Sequence, residues 1–173
     1  MADPQTIREI AERNVRTLAL KPARGHLTGV TTARIEDGLR CVIEDGPWTL
    51  AADMPVKAGG ESSAPTPGAL GRGALASCIA MTIASWAARR QVPIDAVEVE
   101  VQADMDARGE LGMDDSIPAG YRQVRYVISI ESLAPAETIA ELVEAAELYS
   151  PYVDVFARGQ SMKSIVRLNG EEV

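Results

Sequence analysis

The stretch TPGALGRGALASCIAMTIASWAARR, residues 66–90, decides how this chain is read. It opens on a hydroxyl residue followed by proline. Thr66 can cap free backbone N–H groups, and Pro67 lacks the N–H that the first helical position leaves unbonded. No acid and no further proline interrupts the run, and it closes on Arg89-Arg90, cations that suit a helix C-terminus. One long helix is predicted. Its apolar part, Ala74 to Ala88, is shorter than the ~20 residues a bilayer span needs, so a buried helix of a soluble protein is expected. Gly68, Gly71 and Gly73 fall in its first turns. Each costs roughly 1 kcal/mol relative to alanine, which predicts close approach of another backbone.

Working outward, Asp3-Pro4 starts a first helix whose Ile7, Ile10, Ala11, Val15 and Leu18 recur at helical spacing until Pro22. This helix reads as an N-terminal extension over 1–22, a subunit arm or a lid, with the domain proper over 23–173. Residues 27–52 are rich in β-branched side chains, with turn signals at Asp37-Gly38 and Asp45-Gly46. A three-stranded meander is predicted, with strands over 28–35, 39–43 and 48–51. Residues 53–66 form a Gly/Pro/Ser loop. Beyond the long helix, Val97, Val99, Val101 and Ala103 alternate with Glu98, Glu100, Gln102 and Asp104, the mark of a strand with one wet face. A polar loop over 105–120 leads to a second such strand through Val124, Tyr126, Ile128 and Ile130. Pro135 starts a helix faced by Ile139, Leu142, Val143 and Ala146, Ser150-Pro151 breaks it, and a last strand is predicted over 163–168. The order suits an α+β fold better than a doubly wound parallel sheet.

The 173 residues suit one domain with an appendage. A net charge of −8 and the lack of any basic run beyond Arg89-Arg90 argue against nucleic acid as a partner. The N-terminus carries acids and no apolar signal core, and the two cysteines, Cys41 and Cys78, form no CxxC. A cytoplasmic, reducing location without membrane or metal is therefore expected. Glu98, Glu100, Asp104 and Asp106 read as a solvated strand face, and Gly59-Gly60 is not followed by the residues of a phosphate loop.

Cys78 has Ala74, Leu75, Met81 and Thr82 as neighbours on its helix face, with Gly71 and Ser85 one turn further. Free cysteine is among the most buried residue types, so a packed core thiol is one reading. A reactive thiolate is the other. The helix dipole acts within the first turn and Cys78 is about three turns in, so that reading needs a cation from elsewhere. Arg72 points away on the helix. Arg34, Arg40 and His26, the only histidine, are the candidates.

Gly59-Gly60, the short polar loop, Pro67 and GALGRGALASC ending at Cys78 together resemble the osmotically inducible protein C / organic hydroperoxide resistance (OsmC/Ohr) family. VPIDAVEVEVQADMD resembles the family's strand after the helix, and EAAELYSPYVDVF its second helix. The resemblance covers about residues 27–170. It implies an intertwined α+β homodimer, with long central helices packed against antiparallel sheet. It also implies a thiol peroxidase that needs no cofactor: Cys78 would attack an organic hydroperoxide, become a sulfenic acid, and be restored by a thiol or dithiol. Such a role belongs to oxidative-stress defence.

Three positions depart from the family pattern. The resolving cysteine is matched by Ser150, which cannot form a disulfide. The helix-opening glutamate is matched by Gly68. The activating arginine falls near Asp37, flanked by Arg34 and Arg40. One-cysteine chemistry is therefore implied. A Cys41–Cys78 bridge would require Cα atoms within roughly 7 Å, whereas Cys41 alternates with Leu39 and Ile43 as a core strand residue would. Two further readings stay open: a catalytically silent relative whose apolar pocket binds a small hydrophobic ligand, and hydrolysis by Cys78 with His26.

Overall fold

The computed structural model describes residues 3–173; residues 1 and 2 of the expected extension lie outside them. Helix α1 (Pro4–Leu20) starts at Asp3, whose carboxylate accepts the Thr6 N–H at 2.8 Å. A 3-10 turn at Pro22–Gly25 leads to β1 (Thr31–Asp37), β2 (Arg40–Asp45) and β3 (Trp48–Ala52), an antiparallel meander in that order. Helix α2 (Pro67–Arg90) is capped by the Thr66 hydroxyl, which accepts the Ala69 N–H. Strands β4 (Ala96–Met105) and β5 (Tyr121–Glu131) form a separate antiparallel pair joined through a short helix, α3 (Ala107–Glu110). Helices α4 (Ala136–Leu148) and α5 (Pro151–Ala157) follow, with Ser150 at their corner.

The core is one stripe of α2 laid on this second sheet. Leu75, Ile79, Ile83 and Ala87 recur every fourth residue, are fully buried, and meet Leu142 and Ala146 of α4. The apolar faces of β4 and β5 close the layer with Val97, Val99, Val101, Val124, Tyr126, Ile128 and Ile130. Burying each Leu or Ile stabilises by about 1.5–3 kcal/mol. Tyr126 ties β5 to α4 by donating to Glu147 Oε1 at 2.7 Å. Burial, reinforced by that carboxylate, pushes the phenol up to about 12. Helix α2 is long and apolar enough to cross a membrane by length and composition, but its apolar row is committed to this core.

The meander is different. Its main contacts are between its own strands, and Ile35, Trp48 and Leu50 are 60%, 71% and 53% exposed. The chain leaves 13023 Å² accessible, where a monomer of this size leaves about 8,200 Å². Trp48 thus lies outside the core of this chain.

Among the described residues of this chain no backbone makes the close approach expected at the glycines of α2: nothing stands within 4 Å of a Cβ built at Gly71 or Gly73, and at Gly68 its nearest neighbours are side chains. Two expectations are corrected. The last strand is only a two-residue rung, β6 (Arg167–Leu168), paired with β7 (Glu171–Glu172), because residues 160–166 find no neighbouring strand. The loop 105–120 contains α3, capped by Asp106 through the Arg108 N–H.

Candidate active site

Cys78 lies half-buried midway along α2. Its Sγ is 3.5 Å from the Ser150 hydroxyl oxygen. Ser150 is the N-cap of α5, a position where serine ordinarily turns its hydroxyl to the helix N–H groups. Here the side chain makes no capping bond; 99% buried, it faces the sulfur instead. Thr82 donates to the Cys78 carbonyl at 2.7 Å, which fixes the backbone beneath the thiol.

Cys78 lines an open cavity of about 810 Å³ between α2 and the α4–α5 corner, with Ser150 buried behind the sulfur. One wall is the helix face Ala74, Cys78, Met81, Thr82, Ser85 and Arg89; the other is Tyr149, Pro151 and Tyr152. The expected neighbours Ala74, Met81, Thr82 and Ser85 are present, whereas Leu75 turns into the core. Trp86 stacks on Tyr149 with ring centres 5.1 Å apart, and the Arg89 guanidinium lies 4.0 Å from the Trp86 ring centre. Arg89 and Tyr149 were not legible as site residues. The signal for Arg89 was its spacing: three turns beyond Cys78 returns to within about 20° of the same face.

The cation candidates are not brought to the sulfur within one chain. Arg34, on β1, and Arg40, on β2, line no part of the cavity, and neither does His26. Arg40 pairs with Glu36 at 3.6 Å and donates to Ser63 Oγ at 2.9 Å. Cys41 is also on β2, opposite Ile35 and Ala52, and does not line the cavity. At Gly68 the place of an acidic side chain is taken by a different pair. Arg72 donates to the Tyr121 hydroxyl at 3.3 Å, Tyr121 donates to the Gly68 carbonyl at 3.0 Å, and both side chains would stand 3.4 Å from a Cβ at 68.

The loop before α2 is organised by Asp53, which sequence reading passed over. Its carboxylate is 2% exposed and accepts the N–H groups of Met54, Glu61 and Ser63 and the Ser63 hydroxyl. The Ser63 N–H, foremost, holds this carboxyl below the usual carboxylate range, against burial and with help from the other donors. Gly60 is required here: a Cβ would collide with the Met54 carbonyl and stand 2.6 Å from Asp53 Oδ1. This is the physical content of Gly59-Gly60, a loop folded back on itself to deliver the chain to Thr66.

The sequence pattern of the OsmC-like protein family matches residues 59–164, from this glycine turn past α5. The chain belongs to that family. No curated protein matches it by sequence. Among solved structures, an OsmC-like protein from Mycoplasma pneumoniae superposes with a TM-score of 0.65 at 16% identity, over 76% of this chain and 88% of that one. An organic hydroperoxide resistance protein from Legionella pneumophila gives 0.54 at 21% identity, over 75% and 89%. One from Vibrio cholerae, solved with captopril in one of its active sites, also gives 0.54 at 21%, over 85% and 94%. At these identities the structures establish a shared OsmC-like fold.

Proposed function

We propose that this OsmC-like protein reduces organic hydroperoxides with a single cysteine, Cys78, and works as a homodimer in a reducing, cytoplasmic setting. The observation that carries the reading is the buried Ser150 hydroxyl held 3.5 Å from the sulfur of Cys78, which itself lines an apolar and aromatic cavity. It can donate a hydrogen bond to a thiolate and then to a sulfenate, but it cannot replace the oxygen. The thiolate attacks the outer peroxide oxygen; the S–O bond forms, the O–O bond breaks, and the alkoxide takes a proton to leave as alcohol. A thiol from solution then attacks the sulfenic sulfur and expels water. A second thiol exchanges with the mixed disulfide, returning Cys78 and releasing an external disulfide, so two thiols supply the two electrons.

The dimer supplies what one chain lacks. The excess of accessible area, near 4,800 Å² per chain over a monomer of this mass, is more than enough surface for an obligate interface. The unburied meander is the segment available to cover a partner, and with it Arg34 or Arg40 would reach the partner's Cys78 as the activating cation.

The test uses the Cys41→Ser variant with one equivalent of cumene hydroperoxide, following loss of the Cys78 thiol. Loss within seconds, faster than with hydrogen peroxide and faster than in unfolded protein, is expected; the rate of a free thiol would sink the proposal. Adding Ser150→Cys to that variant should convert it to a two-thiol protein that closes a disulfide with one equivalent of peroxide, since the side-chain atoms need only shorten from 3.5 Å to the S–S bond length. Among the described residues no cation is bonded to the sulfur, which favours a second reading, a binding module with Cys78 as lining. It predicts ligand affinity that survives Cys78→Ala and no turnover with any reductant.

A further inference from the structure

The far end of the Cys78 cavity holds an arginine whose one partner among the described residues is an aromatic ring. Among the described residues Arg89 has no ion pair and no side-chain hydrogen bond, although it lines the cavity. Arg90, beside it, is committed: it donates to the Glu141 carbonyl at 3.1 Å. The guanidinium of Arg89 lies 4.0 Å from the Trp86 ring centre, and Trp86 is itself stacked on Tyr149. A cation held on an aromatic surface is already partly ordered, so it loses less freedom when it takes a ligand. Its fork of N–H donors matches a carboxylate in two parallel bonds.

Arg89 follows Cys78 by about 16 Å along the helix axis, on the same face. Side chains lean toward the helix N-terminus, which brings the guanidinium back toward the sulfur. Between the two lie Met81, Thr82, Ser85 and the rings of Trp86, Tyr149 and Tyr152, an apolar and aromatic channel with small hydroxyls.

We infer that Arg89, with Trp86 and Tyr149, is a carboxylate-recognition subsite. The ligand of this cavity is then an amphiphilic monocarboxylate whose apolar or aromatic body lies along α2 with its far end at Cys78. The inference rests on the reading of this cavity as the place where a small molecule meets Cys78, and not on the peroxide chemistry there. Arg89 is the specificity-determining residue, and the carboxylate belongs either to the hydroperoxide or to the restoring thiol. The alternative role for Arg89 is only to offset the helix dipole, a role Arg90 in the same turn would share.

The experiment is calorimetric titration of the full chain with phenylbutyrate and with phenylbutanol, which differ only in the charged head. Phenylbutyrate should bind at least ten-fold tighter. Arg89→Gln should reduce that preference to two-fold or less, while Arg90→Gln leaves it in place. If Arg89→Gln does not fold, Arg89→Lys replaces it and should weaken phenylbutyrate several-fold without changing phenylbutanol. Equal affinity for the two probes, no binding of either, or a preference kept without Arg89 overturns the inference. Two kinetic pairs then assign the source: cumene hydroperoxide against its para-carboxylate, and mercaptoethanol against mercaptopropionate. An Arg89-dependent gain in one pair identifies the anionic substrate. A gain in neither, with the binding preference intact, overturns the assignment of the carboxylate to the hydroperoxide or the restoring thiol, while the peroxidase proposal itself stands or falls on the cumene hydroperoxide rate.

Discussion

The helical half of this chain and its meander are built from equally regular sequence, yet only one of them closes on itself. In α2, β4, β5 and α4 every predicted apolar stripe finds its complement: Leu75, Ile79 and Ile83 are at most 1% exposed. In β1–β3 the strands pair in good register, Ile35 opposite Cys41 and Ile43 opposite Leu50, but Ile35, Trp48 and Leu50 remain largely open. A two-face sheet without a layer against it gains hydrogen bonds and little apolar burial, and burial is the larger driving force. Within a single chain the meander therefore stands as an arm, and the difference teaches that its apolar face is the surface left for the proposed second copy to cover.

The sharpest way to break this comparison is to charge the arm. Ile35→Asp with Trp48→Asp should dissociate the proposed dimer, read by sedimentation; assembly and melting temperature unchanged from wild type would mean that the meander is stable in water alone. In the helical half, Leu142→Ala should cost about 2–5 kcal/mol in a denaturant titration, because Leu142 is fully buried between α4 and α2. A cost below about 1 kcal/mol, the scale of an ordinary surface change, would move the core elsewhere.

The hinge between the halves is the Asp53 loop, and its behaviour should follow pH. The carboxyl is held below its free value in the folded protein. Its contribution is fully present above the free carboxylate range and is lost as pH falls through the lowered value. Hydrogen exchange at the Glu61 and Ser63 amides should therefore speed up in acid relative to the core of α2. Asp53→Asn should make that difference vanish; protection that stays acid-sensitive in Asp53→Asn would assign it to another group. The smallest effect is expected at Tyr126→Phe, which removes the bond to Glu147 and should cost about 1 kcal/mol. A larger loss would show that the β5–α4 tie bears more of the helical half than its packing does.

Much of the candidate site was readable in one dimension. Cys78, the Thr66-Pro67 helix start, the Ser150-Pro151 break and the small residues around the thiol are local or periodic features. Arg34 and Arg40 are candidate partners of the sulfur because the family's activating arginine falls near Asp37, which they flank; in the fold their strands lie off the helical layer of this chain. Arg72 was set aside by its helix angle, and it turns to Tyr121 instead. Asp53 was hidden because a buried carboxylate in a Gly/Pro/Ser loop has the same composition as an exposed one.

The sequence by itself determined the long helices, the strands β1 to β5, the hairpin turns, the stripe of α2 that becomes core and the family to which the chain belongs. Each of these depends on residues a few positions apart, whose geometry the backbone period dictates. Only the tertiary structure decided that the Ser150 hydroxyl abandons its helix cap for the sulfur, that Arg89 lies on Trp86 beside Tyr149, and that the meander stays uncovered. Those outcomes join residues far apart in the chain. They depend on how α2, α4 and α5 dock, and docking is set by the summed packing of a whole layer, which no local pattern encodes.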